Sequence, residues 1–361
     1  MSKLTPVLLA FFLLSPGAEF QPYKNYPTAT GPYGIAVADF NGDGKPDLAI
    51  AVNFGGVSLL FGRGDGSFGK HHDYPTGNGP SNIAAADFNH DGKIDLAVTN
   101  AGLLGDGTTL SILMGNGDGT FQPHVDFPTG VRPEQIAVGD FNRDGNLDLA
   151  FPALIDRTVN VLLGNGDGTF QPHMDFPLQI DPYSIATADF NADGYLDLVA
   201  ANQYSGSLSV LLGNGDGTFQ PQQIYSTGSA GSVAVGDFNA DHKIDIVVTN
   251  SINTIGIMLG NGDGTFQNPV SYRTDREPGN LAVGDLNRDG KLDLAVLSSA
   301  NDTVSILIGN GDGTFQSHVD YAAGPTPQTV AIHDLNHDGF PDLAIPHGLI
   351  TVSVLLNSGE R

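Results

Sequence analysis

One nine-residue pattern, Asp-x-Asn-x-Asp-x-x-x-Asp, occurs seven times along the chain and sets its organisation. The copies begin at residues 39, 87, 140, 189, 237, 285 and 334, so successive starts lie 48 to 53 residues apart. We call these segments the Asp boxes. Copies at a near-constant interval predict a repeat architecture, in which each unit buries its apolar surface against its neighbours.

Each repeat contains four short apolar segments joined by Gly-rich turns. GIAVADF runs into the first box and LAIAV follows it; a third segment such as SLSVLLG, a GNGDGT turn and a fourth segment such as FQPHVDFP complete the period. The turn supplies glycines that a tight hairpin needs. Four strands repeated seven times predict an all-β protein, a seven-bladed β-propeller of four-stranded antiparallel blades. We expect residues 19–361 to form this single domain.

The segment FQPYKNY, residues 20–26, matches the fourth strand of a repeat, although no turn precedes it. The seventh repeat, in contrast, supplies only three strands before VLLNSGER. We therefore expect the N-terminal strand to complete the last blade and close the ring, which removes exposed strand edges.

Residues 1–18 have the layout of a secretory signal peptide, with Lys3, an apolar run and then small residues. The alternative is a buried N-terminal segment. Export predicts a secreted, periplasmic or cell-surface protein, and no stretch is long enough to predict membrane insertion. The chain has no cysteine, so no disulfide stabilises it.

The Asp boxes present oxygen ligands in the order that a hard cation requires. In the first box these are the side chains of Asp39, Asn41, Asp43 and Asp47, with the carbonyl of Lys45. Such a shortened EF-hand order favours Ca²⁺ over Mg²⁺. The alternative is that each Asp only hydrogen-bonds its own turn. The corresponding side chains of the other boxes are Asp87, Asn89, Asp91, Asp95, Asp140, Asn142, Asp144, Asp148, Asp189, Asn191, Asp193, Asp197, Asp237, Asn239, Asp241, Asp245, Asp285, Asn287, Asp289, Asp293, Asp334, Asn336, Asp338 and Asp342.

Charge and one irregular box bear on these sites. The boxes contain 21 of the 40 acidic residues, against 15 Lys and Arg, and the formal net charge is −25. Such a surface attracts cations and repels nucleic acid. In the fifth box His242 replaces the glycine of the sixth position, so we expect up to seven Ca²⁺ sites with the one at Asp237–Asp245 the weakest.

These boxes resemble the calcium loops of the FG-GAP repeat family, also described as VCBS repeats, which occurs in integrin α-subunit propellers and many exported bacterial proteins. The resemblance covers essentially the whole chain after residue 18. It implies a seven-bladed propeller with Ca²⁺ in the loops that join the first two strands of its blades. Here all seven repeats carry a box, so the metal-free blades of integrins are not reproduced.

The topology predicts a repetitive face and a variable face. The boxes and GNGDGT turns share the first, which we call the box face; the loops between second and third strands share the second, the variable face. Variable loops on a rigid scaffold are common recognition sites, although they can also be mere connections. We expect ligand contacts within residues 103–108 and at Asp156, Arg157, Gln203, Tyr204 and His347. The tripeptide at 63–65, RGD, suggests adhesion, but we favour a structural hairpin because other repeats have NGD there.

No HExxH, GxSxG or phosphate-binding Gly-Lys loop occurs in the sequence. We therefore predict a monomeric, non-enzymatic module for binding or adhesion, with a glycan or an extracellular protein as its ligand. A secreted polysaccharide-active enzyme that uses the variable face is one alternative, and a ligand-free structural scaffold is another. A pair of carboxylates outside the boxes, or a basic–aromatic cluster on the variable face, would favour the enzyme.

Overall fold

The computed structural model describes residues 17–179, 181–250 and 252–359. Within them, 28 strands form seven four-stranded antiparallel sheets arranged as the blades of a β-propeller, as the repeats predict. The predicted signal peptide lies almost wholly outside the described residues. Of its 18 residues only Gly17 and Ala18 are described, and Ala18 is buried, with its carbonyl accepting a hydrogen bond from Tyr321 Oη at 2.9 Å.

The strands follow one another in chain order, and each blade runs from the axis outward. The first four blades contain β2 (Pro32–Ala38), β3 (Asp47–Val52), β4 (Gly56–Gly62) and β5 (Phe68–Tyr74); β6 (Pro80–Ala86), β7 (Asp95–Asn100), β8 (Thr109–Leu113) and β9 (Val125–Pro128); β10 (Ala137–Gly139), β11 (Asp148–Ala153), β12 (Thr158–Leu162) and β13 (Met174–Pro177); and β14 (Pro182–Ala188), β15 (Asp197–Asn202), β16 (Ser207–Leu211) and β17 (Gln223–Ser226).

The last three blades contain β18 (Val233–Gly236), β19 (Asp245–Asn250), β20 (Thr254–Met258) and β21 (Val270–Arg273); β22 (Pro278–Gly284), β23 (Asp293–Ser298), β24 (Thr303–Leu307) and β25 (Val319–Ala322); and β26 (Ala331–His333), β27 (Asp342–His347) and β28 (Thr351–Leu355), with β1 (Lys24–Pro27) as the fourth strand.

The N-terminal strand closes the ring, as the orphan FQPYKNY segment predicts. β1 pairs with β28 in antiparallel register, with Lys24 opposite Val354 and Pro27 opposite Thr351. Phe20 forms a further bridge to Asn357. Blade seven is therefore assembled from both ends of the described chain.

The core lies between adjacent blades rather than within any one blade. Second strands such as β3 and β11 are buried along their whole length, whereas outer strands such as β9 are mostly exposed. Aromatic pairs join neighbours: Phe40 of the first box packs edge-on against Phe121, which follows the GNGDGT turn of blade two, with ring centroids 5.9 Å apart. The same pairing recurs at Phe88–Phe170 and Phe141–Phe219, which explains why DFN and GTF repeat together.

No helix in the described part of the chain is long and apolar enough to cross a membrane.

Candidate functional site

The Asp boxes and the GNGDGT turns meet on one face and connect each blade to the next. Gly119 N, in the turn of blade two, donates to the carbonyl of Phe40 in the first box at 2.9 Å. Gly168 and Gly217 donate to Phe88 and Phe141 in the same way. The box face is therefore a continuous ring of loops, as the topology predicts.

Each box is a compact loop closed by its own carboxylates. In the first box Asp39 Oδ2 accepts from Gly44 N at 2.7 Å, Asn41 Oδ1 accepts from Asp43 N at 2.9 Å, and Asp43 Oδ1 accepts from Lys45 N at 3.0 Å. Two of these bonds recur in the other boxes: the first Asp accepts from the sixth residue and Asn accepts from the fifth, for example at Asp189 and Asn191. These bonds point the first, third and fifth side chains into one loop.

Two positions of each box take a left-handed backbone conformation. At the sixth position His242 has φ 64°, so the bulky residue adopts the conformation that glycine adopts in the other boxes. The fourth position is also left-handed, and it is occupied by non-glycine residues in six boxes within the described chain, such as Arg143 at φ 61° and Ala192 at φ 58°. The left-handed conformation at the fourth position was not predicted, because its residues vary and share no turn-forming type.

The ninth Asp of each box faces the interior. Asp47 is fully buried; its Oδ2 accepts from Phe40 N at 3.1 Å and its Oδ1 from Gly62 N at 2.8 Å, so it fastens the box to the end of the third strand. Burial, together with the nearby charges of Asp43 and Asp39, raises the pKa of Asp47 to about 6, although its two backbone hydrogen bonds offset part of the rise. In the seventh box burial raises the pKa of Asp342 to about 7. These carboxylates are costly as bare anions unless a cation or proton offsets their charge.

The boxes fit a hard cation in their donor chemistry but are not drawn into a tight metal cluster. Within the described residues, no group of three or more Asp, Glu or His side chains is close enough to hold a metal ion. However, Asp289 Oδ2 and Asp334 Oδ1 are buried without a hydrogen-bond partner there, and each oxygen of the ninth Asp keeps a second lone pair. The residues that would hold Ca²⁺ are the first, third, fifth and ninth side chains and the seventh carbonyl.

The RGD tripeptide occupies the same hairpin as its counterparts. Asp65 Oδ1 accepts from Ser67 N at 3.0 Å and from Ser67 Oγ, just as Asp118 Oδ1 accepts from the backbone and hydroxyl of Thr120. Arg63 N donates to Ser67 O, and Gly64 has φ 79°. The aspartate is thus committed to its own turn.

The predicted ligand residues of the variable face separate into two groups. Tyr204 is 79% exposed, Arg157 is exposed at a loop tip, and Gln203 lines a central cavity. Asp156 instead accepts a hydrogen bond from Val131 N at 2.7 Å, which fixes the link between blades two and three.

His347 belongs to the blade interior rather than to the surface. It is 1% exposed, and its Nε2 lies 2.7 Å from Ser353 Oγ and 3.0 Å from Asn25 Oδ1 of the closing strand. It therefore supports ring closure and lies out of reach of a ligand on the variable face.

Exposed apolar side chains concentrate on the variable face. Of the twelve large apolar residues that are exposed in the described chain, eight lie in its loops. They are Phe54, Leu103, Leu104, Ile155, Tyr204, Ile252, Leu349 and Ile350. Leu104, at 90% exposure, stands in the long loop of blade two, where the widest repeat spacing led us to expect ligand contacts.

A ring of polar side chains around the propeller axis was not predicted from the sequence. Asn82 Oδ1 accepts from Ile136 N of the next blade at 3.3 Å, Ser184 Oγ accepts from Val233 N at 3.0 Å, and Asn280 Oδ1 accepts from Val330 N at 3.2 Å. Each of these side chains occupies the second position after the residue that opens the inner segment of its blade, usually proline (Pro80, Pro278). That repeated Pro-x-polar-apolar pattern was the available indication.

The ring surrounds a cavity of about 220 Å³ at the variable face, which we call the axial cavity. The hydroxyls of Tyr33 and Tyr183, from blades one and four, hydrogen-bond to each other across it. Glu134 is 5% exposed and accepts a hydrogen bond from Arg132 Nε at 2.8 Å. Burial raises the pKa of Glu134 to about 7, while Arg132 offsets part of that rise. Burial also raises the pKa of both tyrosines.

A model of the FG-GAP-like repeat matches six segments of the chain, residues 39–98, 101–151, 153–200, 189–248, 237–296 and 285–345. None of the curated proteins compared with the chain matches it.

Three solved structures illustrate the fold. The chain is similar to a lectin of Agrocybe aegerita, described as recognising non-reducing terminal N-acetylglucosamine, with a TM-score of 0.55 and 19% identity over 80% of each chain. It is similar to BBS1N, solved in complex with ARL6DN, with a TM-score of 0.67 and 14% identity over 94% of this chain and 98% of that chain. It is also similar to a streptogramin B lyase, with a TM-score of 0.59 and 15% identity over 92% of this chain and 98% of that chain. At these identities the likeness shows the fold alone.

Proposed function

Because this chain belongs to the FG-GAP-like repeat family, we propose that it is an exported, Ca²⁺-stabilised β-propeller that binds a glycan or an extracellular protein through its variable face. The observation that carries the proposal is the division of the molecule into two unlike faces. The box face repeats one acidic loop in every blade, whereas the variable face combines exposed apolar loop tips with a polar central cavity.

Calcium would stabilise the ring rather than take part in chemistry. The first, third and fifth side chains of each box already point into one loop, and two buried box oxygens, Asp289 Oδ2 and Asp334 Oδ1, have no hydrogen-bond partner in the described chain. Lys291 Nζ lies 3.6 Å from Asp289 Oδ2, and a hard cation bound in the loop would add to the positive charge that such a lysine supplies. Each filled loop would stiffen the contact between its blade and the GNGDGT turn of the next.

Recognition would take place on the variable face. A rigid scaffold that presents differing loops is a common arrangement for binding sites. The similarity in fold to a lectin supports a glycan as ligand, and the similarity to BBS1N, solved with a protein partner, supports a protein. Both supports are analogies of fold.

A glycan array and an array of extracellular-matrix proteins, each probed with the purified chain in millimolar CaCl₂ and in EDTA, test the proposal. We expect binding to one array in CaCl₂ and weaker binding in EDTA. Two single variants locate the binding site. Tyr204→Ser changes an exposed residue of the variable face, and Val270→Ser, the matched control, changes an exposed residue of an outer strand. Loss of binding with the first change alone supports the variable face; no binding to either array would contradict the proposal.

A second candidate, a polysaccharide-active enzyme, is favoured by one observation: Tyr33, Tyr183 and Glu134 line the axial cavity, and Arg132, which pairs with Glu134, completes a basic–aromatic cluster beside it. A lyase that acts on uronic-acid chains needs free positive charge to neutralise the substrate carboxylate, but Arg132 is paired with Glu134. Elimination creates a carbon–carbon double bond that absorbs ultraviolet light. An absorbance increase with pectate or alginate that is lost in Tyr183→Phe would replace the binding proposal with the enzyme.

A further inference from the structure

The axial ring leaves amide groups that the protein does not use. Asn82 and Gln135 give their carbonyl oxygens to neighbouring blades, since Gln135 Oε1 accepts from Ser184 Oγ at 2.6 Å and Asn82 Oδ1 accepts from Ile136 N. Their NH₂ groups donate to no protein atom in the described chain, and Asn280 Nδ2 makes only a 3.5 Å contact with Ser232 Oγ. All of these residues line the axial cavity, which therefore offers several hydrogen-bond donors.

The same cavity also offers acceptors. Glu134 uses Oε1 for Arg132, while Oε2 accepts no hydrogen bond from the described residues. The side chains of Gln203 and Ser299 line the cavity without a protein hydrogen bond there, and each can both donate and accept. Donors and acceptors are thus mixed around one small space.

Charge restricts the class of ligand. Among the residues that line the cavity, Glu134 is the one charged side chain, and the Arg132 guanidinium beside it is already engaged. A free anion would meet a carboxylate without an unpaired cation to balance it. A cation would find one carboxylate that Arg132 already neutralises. A neutral molecule with several hydroxyl groups matches the mixed donors and acceptors.

We propose that the axial cavity binds the terminal neutral sugar unit of a glycan, an inference that rests on the glycan-binding form of the proposed function. Glu134 Oε2 accepts from sugar hydroxyls, the amides of Asn82 and Gln135 donate to sugar oxygens, and the Tyr33 and Tyr183 hydroxyls bond to the same ligand.

The size and surroundings of the cavity indicate how much of a glycan it takes. At about 220 Å³ it is smaller than the roughly 300 to 1,000 Å³ of pockets for drug-sized ligands, so it suits one ring. A second cavity, of about 380 Å³, shares Tyr33 and Glu134 with it and is also lined by Leu103 and by Phe54, which is 68% exposed. The chain of a longer glycan leaves by this route, with Phe54 as an apolar surface for the next sugar.

The test measures binding of the methyl glycosides of glucose, galactose, mannose and N-acetylglucosamine by calorimetry and by saturation-transfer NMR, in millimolar CaCl₂. Three variants of the full chain address the cavity: Glu134→Gln, Tyr183→Phe and Gly279→Leu. The last adds bulk at the cavity wall and removes no side-chain hydrogen bond, since glycine has no side chain. There is room for the change, because a Cβ at Gly279 would meet its nearest neighbour, Leu297 O, at 3.9 Å. Tyr225→Phe, on outer strand β17, is the matched control.

We expect at least one glycoside to bind, with affinity lowered about tenfold or more in each cavity variant and unchanged in Tyr225→Phe. Melting temperatures show whether each variant folds, and Gly279→Leu keeps the test valid if the two polar changes disturb the ring. Glycoside binding that survives all three changes would overturn this inference alone and leave the variable-face proposal standing. No glycoside binding by the unaltered chain would overturn the inference, and the glycan array would then decide the proposed function separately.

Discussion

Asn357 Nδ2 donates to the carbonyl of Leu286 at 2.7 Å, and this contact stands where every earlier pair of blades uses a backbone donor. In blades two to six, a turn glycine such as Gly313 donates to the box carbonyl of the preceding blade. Blade seven has no GNGDGT turn, and an asparagine side chain makes the equivalent bond. The same nitrogen also donates to Pro341 O at 3.1 Å.

Replacing this asparagine tests its role in closing the ring. We expect Asn357→Ala to lower the free energy of unfolding by about 2 kcal/mol, because the buried carbonyl of Leu286 and the half-buried carbonyl of Pro341 lose their donor. Urea denaturation measures the loss. Asn116→Ala is the control: it removes an exposed amide bond to Thr120 Oγ1 and should cost less than about 0.5 kcal/mol. Equal effects of the two changes would remove any special role for Asn357.

The left-handed His242 predicts a stabilising substitution. His242→Gly should raise stability by about 1 kcal/mol, because glycine adopts φ 64° without steric cost and the imidazole is almost fully exposed. The reciprocal change, Gly194→His in the fourth box, should lower stability by a similar amount. Thermal unfolding in EDTA compares them without a contribution from bound metal. A loss of stability in His242→Gly would show that the ring has another role in that loop.

The buried imidazole of His347 predicts a dependence on pH. Burial lowers the pKa of His347 below its usual 6.5, so the unfolded chain binds a proton at a higher pH than the folded chain. Its contribution to stability is therefore complete above about pH 6.5 and is lost as the pH falls toward the lower folded value. Between roughly pH 7.5 and pH 5, the free energy of unfolding should fall less in His347→Gln than in the unaltered chain. The matching change at exposed His72 should leave the loss unaltered.

The buried carboxyl of Glu134 predicts a pH dependence of stability opposite in sign to that of His347. Burial raises its pKa to about 7 from 4.5, so the folded chain holds a proton that the unfolded chain has released. This contribution is complete below about pH 4.5 and is lost as the pH rises through 7. Arg132, Tyr33 and Tyr183 are the titratable neighbours that face it. Glu134→Gln should remove the fall in the free energy of unfolding between about pH 6 and pH 8, one unit either side of the pKa. An unchanged profile would place the titration elsewhere.

Features repeated along the chain could be predicted from the sequence, and features that depend on the assembled ring could not. The period of the boxes gave seven blades, and FQPYKNY gave the closing strand, because strand patterns and turns are local. The axial ring, in contrast, joins side chains about fifty residues apart, as in the bond from Ser184 Oγ to Gln135 Oε1, which only the closed circle brings together. The role of Asn357 likewise depends on its contact with Leu286, 71 residues earlier in the chain, which the local sequence does not indicate.

Within the boxes, the sequence predicted which oxygens lie in each loop but not how they are used. The spacing alone treats all four ligand positions alike, whereas Asp47 turns inward to Phe40 N and Gly62 N. Its hydrogen bonds connect the box to a strand fifteen residues later, a relationship that the nine-residue pattern does not contain. The inward position of His347 was missed for the same reason, since its partner Asn25 comes from the opposite end of the chain.

The central claim, that the Asp boxes hold Ca²⁺, is tested most directly by calorimetric titration of the metal-free chain with CaCl₂, alongside melting curves in CaCl₂ and EDTA. We predict several sites per chain with dissociation constants of about 10⁻⁴ to 10⁻³ M, and a higher melting temperature in CaCl₂. Asp193→Ala, in the fourth box, should remove one site, whereas Asp216→Ala, in the following hairpin, should remove none. No heat of binding and identical melting curves with and without Ca²⁺ would contradict the account and leave the boxes as hydrogen-bonded turns.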